Sequence, residues 1–431
     1  MKIYLDTVGC RLNQSEIERY ALQFRAAGHT LVPSAGQADL VVLNTCAVTN
    51  AAVSDSRQKV RQAARMGASN IVLTGCWSTL DPTSAQSLPG VSRIVPNLQK
   101  DLLVAEVLQL PPEVFDREFL ERFPLSGARL RTRLFIKVQD GCDNRCTFCI
   151  TTLARGPARS RAVSEVLNDI RNARAGGVQE VVLTGVHLGS WGCDFSPPGR
   201  LLDLLHAVLQ ETDVPRLRLS SLEPWDLEAD FFSLWQDHRL CRHLHLPLQS
   251  GCAKTLRRMA RKTTPSSFAS LLAAARADIP QVAITTDIIV GFPGETEEEF
   301  SESLAFVESM QFAGGHVFNY SPRPGTAAAR MPDQVPHALR KARSLQMREL
   351  FEKSAAAYQA SFLDQEVYVL WENASEVGPQ GWKVSGLTDN YLRVTTWAYQ
   401  DLWNRITPVR LCTVTLHGLT GMIPPHSTTP G

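Results

Sequence analysis

Leu134-Phe-Ile-Lys-Val138, followed almost at once by Gly141-Cys-Asp-Asn-Arg-Cys-Thr-Phe-Cys149, sets an apolar run against a loop carrying three cysteines. The first segment reads as a buried strand and the second as the turn beyond its end. The Cys-x3-Cys-x2-Cys spacing gathers three thiolates without a fourth protein ligand. That suits a [4Fe–4S] cube with one iron left open. An open iron can chelate a small molecule, as the open position of catalytic zinc does. A structural zinc site wants four ligands, and no further His or Cys stands at a suitable spacing. Zinc and plain core cysteines are the rival readings.

Outward from this loop the pattern repeats. Strand-like runs follow at Glu180–Leu183, Leu217–Ser220, His243–Leu246, Ala283–Val290 and Gly315–Asn319, separated by helical segments such as Val163–Ala175, Leu201–Leu209 and Thr296–Met310. Six β/α units without a second core predict a barrel or partial barrel, (β/α)6. Upstream, Lys2–Thr7, Asp39–Asn44 and Asn70–Thr74 alternate with helices over Ser15–Ala27 and Ser54–Met66. Asn13 and Ser15 are candidate caps of the first helix, with Glu16 and Glu18 as capping-box partners. This series predicts a Rossmann-like α/β unit with a parallel sheet. Cys10, Cys46 and Cys76 each come just after one of its strands, at the edge where such sheets hold ligands. Three lone cysteines in an α/β unit are otherwise more often buried structural residues.

Leu110-Pro-Pro112, a charged helical stretch, Pro124 and Gly127 mark a connection. A long helix is expected over Pro336–Phe362. Beyond it Val367–Trp371, Trp382–Val384, Tyr391–Thr396 and Val409–Thr415 form short β runs, which predict a small all-β barrel. The tail from Pro424 to Gly431 is expected to be disordered. The organisation is therefore α/β units over residues 1–108, a linker over 109–127, a core over 128–358 and a β barrel over 361–424.

Composition narrows the function classes. The 431 residues carry 44 basic and 43 acidic side chains, so a chain coated in positive charge is excluded. No apolar run approaches the ~18 residues of a membrane span. Asp6 arrives too early for a secretory leader, so a cytoplasmic protein is expected. In a reducing compartment its ten cysteines are better explained as metal ligands or catalytic groups than as disulfides.

The three-cysteine loop resembles the S-adenosylmethionine (SAM) binding loop of the radical SAM superfamily, as do the partial barrel and Ile288-Ile-Val-Gly-Phe-Pro-Gly-Glu295. Thr7-Val-Gly-Cys-Arg-Leu-Asn-Gln14, Asn44-Thr-Cys-Ala-Val-Thr49, Thr74-Gly-Cys76, Ala154-Arg-Gly-Pro-Ala-Arg-Ser-Arg161 and Tyr320-Ser-Pro-Arg-Pro-Gly-Thr326 narrow the resemblance to the methylthiotransferase family, over nearly the whole chain. The resemblance implies that Cys142, Cys146 and Cys149 hold the radical cluster. It implies that Cys10, Cys46 and Cys76 hold a second, auxiliary [4Fe–4S] cluster, and that the terminal barrel is an RNA-gripping TRAM domain. Thr184-Gly-Val-His-Leu-Gly-Ser190, Cys241 to Gly251 and His316-Val-Phe318 resemble the branch acting on N6-threonylcarbamoyladenosine at position 37 of the tRNA anticodon loop. The family's other branches modify isopentenyladenosine or ribosomal protein S12. Thr151-Thr152, Cys252 and Asn319 depart from the branch pattern without removing a ligand. An electron donor such as flavodoxin or ferredoxin is implied, and a monomer is expected.

The implied chemistry is physically coherent. C2 of adenine bears a hydrogen that is neither acidic nor nucleophilic, so polar group transfer has no handle on it. A 5′-deoxyadenosyl radical from one SAM activates it, and a second SAM donates the methyl group. A radical SAM enzyme whose N-terminal cluster only relays electrons is the rival from another class. A non-catalytic RNA-binding protein with structural clusters is a further one.

Charge is local rather than global. Residues 121–174 hold eleven Arg or Lys against five Asp or Glu, and residues 237–263 hold seven against one. Arginine dominates both, as suits phosphate contact. For Arg257, Arg258, Arg261 and Lys262 the bland alternative is a solvated helix face. Arg155, Arg159 and Arg161 follow the loop directly and are candidates for SAM or substrate contact. Gln249, Asp287 and Glu223, near strand ends, are candidate polar contacts for SAM. Gly291 is a candidate for close cofactor approach, or a simple strand-end turn. His187 and His243 are candidates for the modified base, or hydrogen-bonded core histidines. Trp382, Lys383, Tyr391 and Arg393 are candidate RNA contacts, although aromatics in a small barrel are usually core.

Overall fold

The computed structural model describes residues 1–115, 132–228 and 230–424. Its first sheet is parallel, with strands β1 (Lys2–Thr7), β2 (Thr30–Leu31), β3 (Leu40–Thr45), β4 (Ile71–Gly75) and β5 (Val91–Val95) in the order β2-β1-β3-β4-β5. Every residue of β3 and β4 is buried, which is why both read as continuous apolar runs. Helix α1 (Arg11–Ala26) and helix α2 (Asn50–Arg65) pack on this sheet. The expected caps of α1 are wrong. The helix starts earlier, with Cys10 at its N-cap and no side-chain cap bond, and Asn13, Ser15 and Glu16 are buried inside it. The Asn13 side chain donates to the Val8 and Thr45 carbonyls, and Glu16 accepts from Asn44 and Arg155. Helix α2 has an ordinary cap, the Thr49 hydroxyl accepting from the Ala52 amide.

The central part holds six parallel strands: β6 (Arg133–Lys137), β9 (Glu180–Thr184), β10 (Arg216–Leu219), β11 (His243–His245), β12 (Ala283–Val290) and β13 (Gly314–Asn319). They form two three-strand sheets, β6-β9-β10 and β11-β12-β13. Isolated bridges from Leu217 to Leu240 and from Ser221 to His245 join them. Between β6 and β9 the short strands β7 (Gln139–Asp140) and β8 (Arg159–Ser160) pair beneath the cysteine loop. One large core, including Leu183, Leu217, Leu244, Ile288 and Phe312, lies between these strands and their helices. The six-unit partial barrel is as expected, and α1 packs against β6 at its edge.

Strands β14 (Glu366–Gly378), β15 (Gly381–Thr388), β16 (Arg393–Ala398), β17 (Ile406–Thr415) and β18 (Gly418–Met422) form a closed barrel in the order β14-β15-β16-β18-β17. Trp371, Val384, Val394 and Val409 fill it. Two arginines dock it to the central strands. Arg216 donates to the Leu387 and Tyr368 carbonyls at 3.0 and 2.8 Å, and Arg218 to those of Asp389 and Thr388 at 2.8 and 3.1 Å. Most of the expected 109–127 linker, with its charged stretch, Pro124 and Gly127, lies outside the described residues, as does the tail from 425. Among the described residues no helix is long and apolar enough to cross a membrane.

Candidate functional site

The loop after β7 needs a glycine to start. Gly141 has φ +74°, and a Cβ there would fall 1.8 Å from the Pro157 carbonyl oxygen. The loop is pinned by the Cys142 amide donating to the Gly156 carbonyl at 3.1 Å and the Thr147 hydroxyl donating to the Arg258 carbonyl at 2.8 Å. Each sulfur meets a donor: the Asn144 amide on Cys142 at 3.4 Å, Arg261 on Cys146 at 3.8 Å, and the Thr151 amide on Cys149 at 3.4 Å. Burial pushes the Cys146 thiol up to about 11, with Arg261 opposing it. Burial likewise raises Cys149, against the bonds from Thr151. Three half-buried sulfurs faced by N–H groups form a donor set that fits a cluster whose iron displaces the thiol protons.

Cys10, Cys46 and Cys76 follow β1, β3 and β4, three neighbouring strands of one parallel sheet. Gly9 has φ +102°, and a Cβ on it would lie 2.5 Å from the Cys46 sulfur. Burial holds the Cys46 thiol at about 11, and the adjoining Cys10 and Cys76 push it the same way. Cys10 is raised chiefly by desolvation, with Arg155 opposing and Cys76 adding to the rise. The Asn97 amide lies 3.6 Å from the Cys76 sulfur. The topology thus brings together three cysteines spaced tens of residues apart.

Arg155 stands between the two sets. It ends the helix Thr151–Arg155 that leaves the cysteine loop, and its side chain is 2% exposed. It donates to Asn13 at 2.6 Å, Asp140 at 2.8 Å and Glu16 at 3.0 Å. Lys100 bridges the same carboxylates at 2.5 and 2.8 Å. Arg159 reaches the Arg155 and Pro157 carbonyls, and Arg161 pairs with Asp169 at 2.7 Å.

The other expected residues divide. Glu223 accepts from Arg261 at 2.6 Å beside Cys146 and Cys149. Arg261 is not on a solvated helix face: it is buried, 4.4 Å from the Trp225 ring centre and bonded to the Pro247 carbonyl. Arg258, in contrast, pairs with Glu299 at the helix edge. Gln249 adopts φ +75°, its amide donating to the Asp287 carbonyl at 2.8 Å. Asp287 pairs with His245 at 3.3 Å and His316 at 3.1 Å; these bonds outweigh burial and hold it well below the usual carboxylate range. At Gly291 the close approach is to Arg340, whose Cγ a Cβ would meet at 2.1 Å. His187 pairs with Asp226 at 2.5 Å and Asn144 at 3.2 Å; burial opposes its charging, yet Asp226 and Cys142 bring it to about 10.

Tyr391, read as a candidate RNA contact or a barrel-core aromatic, is not confined to the barrel core. It points from the β barrel into the central strands, stacked on His243 with ring centres 4.5 Å apart and planes 13° from parallel. Arg218, Arg11 and Arg133 lie 5.1, 5.8 and 5.9 Å from its ring centre. Arg11, Asn144 and Asp226 were not identified from sequence. For Arg11 the available signal was its place next to Cys10.

Comparison with known proteins matches residues 136–307 to the radical SAM superfamily and residues 2–95 to the uncharacterized protein family UPF0004. The chain is 33% identical over 416 residues to the threonylcarbamoyladenosine tRNA methylthiotransferase MtaB of Bacillus subtilis (strain 168), covering 94% of this chain and 92% of that one. It is 35% identical to the protein of that name from Thermotoga maritima, covering 86% of each. It is also 32% identical to the tRNA-2-methylthio-N(6)-dimethylallyladenosine synthase of Oceanobacillus iheyensis, covering 88% of this chain and 76% of that one. Among solved structures it shares the fold of the radical SAM methyltransferase TsrM from Kitasatospora setae, with a TM-score of 0.58 at 13% identity over 76% of this chain and 74% of that one.

Proposed function

The chain belongs to the radical SAM methylthiotransferase family, and from that premise we propose that it inserts a methylthio group at C2 of N6-threonylcarbamoyladenosine-37 in tRNA. The observation that carries this reading is the pair of three-cysteine sites, one after the β7 strand and one at three adjacent strand ends, with Arg155 between them. Cys142, Cys146 and Cys149 are the ligands for the SAM-binding [4Fe–4S] cluster in this proposal, and Cys10, Cys46 and Cys76 for the auxiliary one. When bound, the two clusters supply the electron that cleaves SAM and a place for the sulfur that is transferred. The protein's part is to orient. Amides of Asn144 and Thr151 face the loop sulfurs, and Asp226 fixes the His187 ring beside Cys142. Arg261 and Glu223 hold each other next to Cys146. Gln249, Asp287, Glu223 and Gly291 remain the proposed SAM contacts, whereas Arg155, a candidate for the same role from sequence, is buried on Glu16, Asp140 and Asn13 and is proposed to position the two cysteine sites instead.

The exposed members of the basic stretches, such as Arg145, Arg257 and Lys262, and the terminal barrel, with Trp382, Lys383 and Arg393, are assigned to the tRNA backbone and anticodon loop. A flavodoxin or ferredoxin is the proposed electron donor. The dimethylallyladenosine substrate is the second reading, favoured by relatives of similar identity that carry that name. The test is turnover of the anaerobically reconstituted full chain on anticodon stem-loops bearing each modified adenosine, read by nucleoside mass. Methylthiolation of the threonylcarbamoyl substrate alone supports the proposal. Methylthiolation of the dimethylallyl substrate alone replaces it with the second reading.

A further inference from the structure

A buried or half-buried arginine normally finds a carboxylate. Around Tyr391, Arg218 is paired with Glu180 at 2.6 Å and Arg133 with Glu372 at 2.6 Å. Arg11 is not paired with a carboxylate among the described residues. Among the described residues its one side-chain hydrogen bond is from Nη2 to the Tyr391 hydroxyl oxygen, at 3.0 Å. It is the first residue of α1, so it follows Cys10 directly, and its side chain runs from beside the auxiliary cysteine site to Tyr391. The surroundings are polar and positive. His243 stacks on Tyr391, and His316, two-thirds exposed, leans on Asp287 beside His245. The His243 and His245 rings both bond the Thr285 hydroxyl, at 3.0 and 2.9 Å, and the His245 and His316 ring centres lie 5.8 Å apart, so a chain of contacts runs from Tyr391 to His316. Tyr391 is held there in a left-handed backbone conformation, φ +68°, a conformation that costs a non-glycine residue energy.

Resting on the substrate reading above, we propose that Arg11, with the Tyr391 hydroxyl and the exposed His316 ring, binds the carboxylate of the threonyl group and so selects this substrate over an apolar N6 substituent. The chemistry fits in three respects. A guanidinium presents a planar fork of donors that matches a carboxylate. On adenine, C2 and the N6 substituent flank N1 along one edge, so an acid on N6 lies near any group that delivers sulfur to C2; Arg11 adjoins Cys10. And a dimethylallyl group has nothing to offer an unpaired cation, which would then be desolvated without compensation.

The experiment measures binding and turnover of the reconstituted full chain on two anticodon stem-loops, one bearing threonylcarbamoyladenosine and one its threonyl methyl ester. The native chain is expected to bind the acid about ten- to a hundredfold tighter than the ester, a span typical of one lost charge-assisted pair. Arg11→Gln and Tyr391→Phe are expected to shrink that ratio, Arg11→Gln toward unity and Tyr391→Phe partway. Iron content and melting temperature report cluster loading and folding separately. Equal binding of acid and ester by the native chain overturns the inference without any mutant, as does an unchanged ratio in Arg11→Gln. If the native chain turns over the acid, the substrate reading survives either outcome. If it turns over neither RNA, that reading fails and the inference with it.

Discussion

Arg155 donates to Asn13 at 2.6 Å across 142 positions of sequence, so the residue that ends the short helix after the Cys142–Cys149 loop is bonded to the helix whose N-cap is Cys10. The same guanidinium is shared by Glu16 and Asp140, with Lys100 fully buried beside them. Removing one partner from such a network strands buried charge, at a cost of about 3–5 kcal/mol. Arg155→Met is therefore expected to lower the unfolding free energy by that order, with a smaller loss for Arg155→Lys, whose single ammonium cannot span three acceptors. Urea titration of the apo protein reads this directly. A loss under about 1 kcal/mol would mean that the bridge is no more than a surface pair.

Gly9 is the next test of how the auxiliary site is built. Its φ of +102° penalises any side chain, and the added methyl would meet the Cys46 sulfur at 2.5 Å. Gly9→Ala should cost about 1–3 kcal/mol of stability and displace Cys46. Iron bound after reconstitution should fall by roughly half, because the Cys142 loop is untouched. Full iron loading in Gly9→Ala would show that Cys46 has room to move and that the site is looser than the packing implies.

Parallel strands buried on both faces leave near-continuous apolar runs, as β3, β4 and β9 do, while β1 and β13 were legible from shorter apolar stretches and their place in the β/α alternation. Edge and glycine-rich strands leave no such trace. Val91–Val95 exposes Ser92 and Arg93, and Gly418-Leu-Thr-Gly-Met422, which closes the terminal barrel, carries two glycines. The start of α1 was hidden because Cys10 supplies no side-chain cap. In the site, the cysteines were readable from spacing and position after strands. The burial of Arg155 and Arg261 was not, because it depends on Glu16, 139 residues away, and Glu223, 38 away. Tyr391 looked like a barrel aromatic. Its backbone angle turns it toward Arg11, and a local sequence pattern does not encode that partner.

Acid sensitivity should concentrate at the joint between the central strands and the terminal barrel. Glu180 is fully buried; burial favours its neutral form, but Arg218, then Arg133 and Arg216, hold its pKa below the ordinary 4.5. A carboxylate depressed in the folded state binds fewer protons there than in the unfolded chain. Its stabilisation is complete above about 4.5, the unfolded value, and is lost as pH falls through the lower folded value. Glu180→Gln should therefore be less stable than the native chain at neutral pH, and the gap should narrow below about pH 4.5. Parallel unfolding curves across that range would remove Glu180 from the account of acid unfolding.

The two cysteine sets should separate functionally. If each triad holds its own [4Fe–4S] cluster, the reconstituted chain binds about eight irons, and loss of either triad leaves about four. Cys142→Ala removes a sulfur that the Asn144 amide faces and that adjoins His187, so SAM cleavage should vanish while the auxiliary iron remains. Cys76→Ala removes a sulfur beside Asn97, on the far side of Arg155, so reductive SAM cleavage should persist while methylthio product disappears. Iron assay, deoxyadenosine release and nucleoside mass on the same samples distinguish the cases. Methylthiolated nucleoside from Cys76→Ala would end the assignment of Cys10, Cys46 and Cys76 to sulfur transfer, and unaltered SAM cleavage by Cys142→Ala would end that of the loop.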